Sequence, residues 1–209
     1  MFMDTSTTLT GQFQRNTSRP IAGTCVATAF TNPLQQAKNG EDCLLQGWAV
    51  KLTNDSLSSS GNNGMGLAGN VLTAKKATTT INGFIVDCAS TMSCDTNDFP
   101  RLCKNQVGYV ALIGSGAKIY LHADASLQGV GVDTALKWDT TNNCLSTTTG
   151  VPLTGVSIVS QVVSGVAGRM KTVSVTPPAA GSGSGTGAAT TMTLNVSESY
   201  ETLVVKVTL

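Results

Sequence analysis

Residues 192–209 read MTLNVSESYETLVVKVTL, and this stretch decides the fold class. Apolar side chains fall at Leu194 and Val196, then at Leu203, Val204, Val205, Val207 and Leu209. β-Branched residues at near-alternating positions read as strand, with Glu198-Ser199-Tyr200-Glu201 as a turn or bulge between two halves. Just upstream lies TPPAAGSGSGTGAATT (residues 176–191), where two prolines stiffen the start and Gly-Ser freedom follows. A strand pair tethered past such a linker has to bury its apolar side, on its own body or on a neighbouring subunit.

The same strand signals recur toward the N-terminus. Trp48, Val50 and Leu52 alternate with Ala49, Lys51 and Thr53, so Cys43–Thr53 reads as one or two strands split at Gly47. Residues 71–80 and 81–88 read as strands around the hairpin dipeptide Asn82-Gly83. Residues 107–113 and 118–122 follow, joined by Gly114-Ser115-Gly116. Residues 136–139 and 144–147 read as a hairpin with Trp138 and Leu145 as core candidates. Residues 156–163 and 170–176 are further strands, separated at Ser164–Gly168. The best short helix candidate is Asn32–Lys38. The expected organisation is all-β: an N-terminal arm (1–20), a β-barrel or β-sandwich body (21–175) with a cysteine-containing insertion (89–106), the linker (176–191), and a C-terminal β arm (192–209).

Composition narrows the function. Charged residues make up 12% of the chain, against about 25% in ordinary globular domains. The net charge of +1 and the single basic pair Lys75-Lys76 draw the chain to neither nucleic acid nor anionic lipid. No stretch approaches a membrane span, and no apolar leader marks the start, so a cytoplasmic product is expected. With 41% hydrophobic residues and a mean hydropathy of +0.10, some apolar surface is expected to be covered by other subunits.

Catalytic signatures are missing from the sequence. The nucleophile elbow G-x-S-x-G does not occur, and Gly114-Ser115-Gly116 reads as a turn. The glycines of residues 56–70 lack a following Gly-Lys-Ser/Thr and read as a surface loop, not a phosphate cradle. The only histidine, His122, sits in a strand-like run and is expected to be hydrogen-bonded or solvent-facing. The aspartates Asp87, Asp95, Asp98, Asp124, Asp133 and Asp139 are dispersed at loop edges, the ordinary place for turn aspartates. The six cysteines (Cys25, Cys43, Cys88, Cys94, Cys103 and Cys144) form no C-x-x-C. They read first as reduced thiols packed as small hydrophobes; a disulfide within the Cys88, Cys94 and Cys103 loop, or metal binding, are the alternatives. No enzyme, cofactor or metal site is expected.

From Gly108 to Val175 the order of features resembles the capsid cement, or head decoration, proteins of tailed bacteriophages. The resemblance is carried by GYVALIGSGAKIYLHADA (108–125), the hairpin Ala135–Asp139 with Cys144–Ser146, the strand Pro152–Ile158, and the glycine segment 165–168 before Met170–Val175. It implies a β body on the outer capsid surface, assembled as a homo-oligomer (a trimer), that binds the major capsid protein and resists internal DNA pressure. Its location would be the virion, after synthesis in the host cytoplasm. Terminal strands would make the contacts, which points to Thr5, Leu9, Phe13, Arg15 and Arg19 at one end and to Leu194, Val196, Leu203, Val205 and Val207 at the other. The alternatives are another phage component (tail tube, fibre or baseplate) and a β-fold hydrolase.

Overall fold

The computed structural model describes residues 19–27, 34–55, 71–87, 99–175 and 191–209. In chain order its first strands are β1 (Cys25–Ala27), β2 (Gln35–Asn39), β3 (Cys43–Leu45), β4 (Ala49–Asp55), β5 (Val71–Lys76), β6 (Gly83–Val86), β7 (Arg101–Cys103) and β8 (Val107–Leu112). Then come β9 (Lys118–Ala123), β10 (Leu136–Asp139), β11 (Cys144–Ser146), β12 (Val151–Leu153), β13 (Ser157–Ile158), β14 (Val163–Val175) and β15 (Met192–Thr208). Helical structure among the described residues is a single 3-10 turn, Ala125–Leu127, capped by the Asp124 side chain. The protein is all-β.

Five strands close into a barrel in the order β2-β5-β4-β6-β8. An eight-stranded sheet runs β12-β10-β11-β9-β15-β13, with β1 added on β9 and β14 on β15. β3 and β7 form a separate antiparallel pair. The barrel wall serves two cores at once, because successive strand residues point to opposite faces. On β6, Ile85 enters the cluster inside the barrel, while Phe84 and Val86 face the large sheet. Neighbouring residues divide the same way on β4 (Val50 and Ala49) and on β8 (Val110 and Ala111). From the sheet side Ile119, Leu121, Trp138, Leu145, Val205 and Val207 complete the shared core. Phe84 and Trp138 meet edge to face at 5.0 Å.

Several local readings hold. Trp138 lies opposite Leu145 in the β10–β11 hairpin. The chain breaks between β3 and β4 at Gly47, which has φ +83°.

Others are overturned, each by a partner distant in sequence. Asn82-Gly83 is not a hairpin turn: β5 and β6 both pair with β4, which lies between them. Asn82 instead accepts from the Leu52 backbone N–H at 2.9 Å and donates its own N–H to Val50. The helix candidate Asn32–Lys38 is wrong over its described part, since Gln35–Asn39 is β2, paired with β5 and β8. Residues 164–168 are no turn either, because β14 runs unbroken against β15. The glycines there permit close approach. A Cβ at Gly165 would lie 2.4 Å from Val204 and 2.5 Å from the Pro20 carbonyl, and one at Gly168 would lie 2.2 Å from the Phe99 ring. Gly168→Ala is therefore expected to lose about 1–3 kcal/mol through overpacking, read from denaturant unfolding. An unchanged midpoint would contradict the close seat of Phe99.

The C-terminal segment needs the largest correction. No turn interrupts it at Glu198–Glu201; β15 is one strand of 17 residues. Its second half pairs with β9 from Leu203↔Ala123 to Thr208↔Lys118. Val205 and Val207 are fully buried and Leu203 packs against the same core. These three side chains hold the body together and are not offered to a neighbour. Their apolar faces were legible, but the barrel strands that cover them lie far upstream.

Candidate interaction surface and adjoining polar groove

Beyond its pairing with β9, β15 continues alongside β14 as a two-stranded ribbon. The register places Lys171 opposite Val196, Val173 opposite Leu194, and Val175 opposite Met192. Residues directly opposite in an antiparallel pair share a face. One ribbon face therefore carries Val173, Val175, Met192, Leu194 and Val196 with Lys171 at its base. Val175, Met192, Leu194 and Val196 are 40–59% exposed. The reverse face carries Thr172, Ser174, Thr193 and Asn195, all exposed, with Thr172 donating to the Asn195 side chain at 3.0 Å. Since both faces of the last five residue pairs meet solvent, the ribbon projects by about 16 Å at 3.3 Å per residue.

A two-stranded ribbon is marginally stable alone in water, and exposed strand edges commonly carry charge to discourage pairing. Here the base is braced instead. Glu198 takes ion pairs from Arg169 and Lys171 at 3.3 and 3.8 Å. Arg101 on β7 donates to Ser197, and Met170 packs onto the barrel cluster. Among the described residues no ion pair braces the part beyond Lys171 and Val196.

Of the residues expected to contact partners, Leu194 and Val196 lie on this exposed face. Arg19 folds back into an ion pair with Glu201 of β15. Thr5, Leu9, Phe13 and Arg15 fall outside the described residues. Val173, Val175 and Met192 belong to the same surface and were missed; the available signal was the Val173–Val175 alternation, separated from its mate by the Gly-Ser linker.

Along the same face β15 leads back to a polar groove of about 610 Å³. Val204 lies opposite His122, so residues 204, 202, 200 and onward to 192 share its side of the sheet. His122 is half-buried and fully engaged. Its Nδ1 lies 3.2 Å from the Asn143 carbonyl. A carbonyl only accepts, so Nδ1 carries the proton, and the single Nε2 lone pair faces the Thr202 and Tyr200 hydroxyls at 3.1 and 3.2 Å. Burial lowers the His122 pKa against the opposing pull of the Asn143 carbonyl and Asp124. The ring is thus a neutral bracket between β9, β15 and the β10–β11 turn.

The other ionisable groups of the groove are committed too. Burial would raise the Asp139 pKa, but bonds from Asn142 and Thr141, together with Lys76, bring it below the usual value. Asp124 accepts from the Ser126 backbone N–H at 2.9 Å. Burial, with Asp124 and Asp139 nearby, pushes the Cys144 thiol up to about 12, far from thiolate chemistry at neutral pH. Burial likewise raises the Tyr200 phenol, whose ring lies 5.0 Å from the Arg169 guanidinium. Lys76 lies 4.9 Å over the Trp48 ring. The carboxylates brace turns and the cations cover aromatic rings, which is the chemistry of a stiffened surface. Among the described residues no group of three His, Cys, Asp or Glu side chains has metal-site geometry, and no helix is long and apolar enough to cross a membrane.

His122 gives this bracket a pH signature. Its folded pKa is depressed, so its contribution is whole above the ordinary imidazole value of 6.5 and is lost as pH falls through the folded value. The melting temperature is expected to fall between pH 7.5 and 5 more steeply in the native chain than in His122→Gln. Asp87, whose carboxyl burial pushes up, acts with the opposite sign at lower pH and is common to both proteins. Parallel profiles would contradict the neutral bracket.

No family model matches the chain, and neither the curated proteins nor the solved structures contain a significant match to it.

Proposed function

We propose that this chain is a virion structural protein that binds the outside of a bacteriophage capsid and cements neighbouring major capsid proteins against the pressure of packaged DNA. The observation that carries this reading is the ribbon: a projecting pair of strands with one exposed apolar face and few charges, braced at its base on a packed barrel. The order of features over 108–175 supports it, as does a composition poor in ionisable side chains.

The mechanism is mechanical. The apolar face of Val173, Val175, Met192, Leu194 and Val196 docks against a capsid subunit, and the open edges of β14 and β15 offer ladder hydrogen bonds for strand addition. The body, as a trimer, presents several ribbons at once, so weak individual contacts combine through effective concentration. Each bound copy spans a junction between capsomers and raises the force needed to separate them.

The test is addition of purified protein to expanded shells that lack it. Co-sedimentation with the shells and a higher shell melting temperature are expected. Shells that gain neither protein nor stability contradict the proposal.

A further inference from the structure

β3 and β7 pair antiparallel with Cys43 opposite Cys103, Leu44 opposite Leu102 and Leu45 opposite Arg101. Which of these are hydrogen-bonded pairs follows from the bonds around them. The next pair outward, Gln46 with Pro100, is joined by the Gln46 N–H donating to the Pro100 carbonyl at 3.0 Å. Hydrogen-bonded and non-hydrogen-bonded pairs alternate along an antiparallel ladder. Leu45/Arg101 is therefore non-bonded, Leu44/Leu102 bonded, and Cys43/Cys103 non-bonded.

The remaining backbone bonds agree. The Leu45 carbonyl turns outward to accept from Trp48. Cys103 sends its N–H to the Gln106 side chain at 2.8 Å and takes the Gln106 N–H on its carbonyl at 3.0 Å. Non-bonded pairs bring Cα atoms to about 4.5 Å and side chains closest together. That separation lies inside the range of about 4.4–6.8 Å that a disulfide spans. By strand alternation the two cysteines share the face opposite Leu44 and Leu102; both are half-buried, and Cys43 packs against the edge of the barrel cluster. They line a groove of about 460 Å³ with Arg101 and, from the ribbon, Met170, Asn195 and Val196.

We propose that Cys43 and Cys103 are the site of a cross-strand disulfide that forms when the chain meets an oxidising environment. The oxidant is a small disulfide such as oxidised glutathione. The Cys43 thiolate attacks one of its sulfurs, forming a mixed disulfide and expelling one glutathione thiolate. The Cys103 thiolate then attacks the Cys43 sulfur and expels the second. The protein loses two thiol protons and two electrons, and one oxidised glutathione becomes two reduced ones. The bond fastens the strand pair on which Arg101 braces the ribbon, and it closes a loop of roughly sixty residues, long enough to constrain the unfolded chain strongly. The inference stands on the strand register and does not depend on the capsid reading.

The test uses the full chain, purified with reductant and then incubated with oxidised glutathione. Alkylation and peptide mapping are expected to find Cys43 joined to Cys103, with Cys144 still alkylated after unfolding. The melting temperature is expected to rise by roughly 10 °C over the reduced protein. Cys43→Ser and Cys103→Ser should each abolish the rise, while Cys144→Ser should keep it. Both cysteines remaining alkylatable, or either joined to a different cysteine, overturns the proposal, and the mapping decides this on the native sequence whether or not a variant folds.

Discussion

Replacing Trp138 by alanine is expected to remove about 3–5 kcal/mol of stability, which lowers the melting temperature by roughly 10 °C in a chain of this size. Trp138 is only 1% exposed, and its cost comes from where it sits. It stands on β10 of the large sheet and meets Phe84 of the barrel edge to face, so its loss opens a void between the two layers. A ring pair of this kind adds about 0.5–1.5 kcal/mol beyond the area it buries. Phe84→Ala should cost nearly as much. The double variant should cost less than the sum, because the two side chains wall the same space. Urea unfolding of the four proteins checks this. A loss below about 1 kcal/mol for Trp138→Ala, against the range normal for buried aromatics, would mean that barrel and sheet do not share a core.

The second large effect concerns binding and leaves folding alone. Leu194 and Val196 are 49% and 40% exposed on the outer ribbon, so an aspartate at each has water to meet in the unbound protein. Once that face is covered, two carboxylates would have to shed solvent against apolar surface. Even a penalty of about 1 kcal/mol each weakens a single contact by roughly 30-fold, and an array of linked contacts by more. Leu194→Asp with Val196→Asp is therefore expected to abolish co-sedimentation with shells while shifting the melting temperature by only a few degrees. Val205→Asp should do the reverse and unfold the protein, since Val205 is fully buried. Retained shell binding by the ribbon variant would remove the ribbon from the interface.

These two regions also mark how far the sequence could be read. Trp138 opposite Leu145 was legible because a hairpin is local: alternation, a polar turn and a return strand all lie within one short window. The break at Gly47 was legible for the same reason. The C-terminal strand was legible as a strand but not in its role. Nothing in LVVKV says that the barrel wall will cover Val205 and Val207, whereas Leu194 and Val196, with the same pattern, stay uncovered. Sheet order is a non-local property, and identical periodicity serves a core and a surface.

Glycine misled for a related reason. Asn82-Gly83 and residues 165–168 carry turn composition, yet the first docks on β4 and the second lies flat beneath Phe99 and Val204. A missing side chain permits either a tight turn or a close approach, and only the partner tells which. His122 was expected to be hydrogen-bonded or exposed, and it is hydrogen-bonded. Its partners Asn143, on the β10–β11 turn, and Tyr200 and Thr202, on β15, come from two segments distant from it in sequence, so the bracket could not be assembled from the sequence.

The central claim is that the apolar ribbon face attaches many copies of this protein to a capsid. Quantitative mass spectrometry of DNA-filled particles, purified from cells in which this chain is made alongside its phage, tests it most directly. Many copies in fixed proportion to the major capsid protein, lost when Leu194 and Val196 are changed to aspartate, is the expected result. Particles that carry only a few copies or none, or that keep a full complement of the aspartate variant, contradict it.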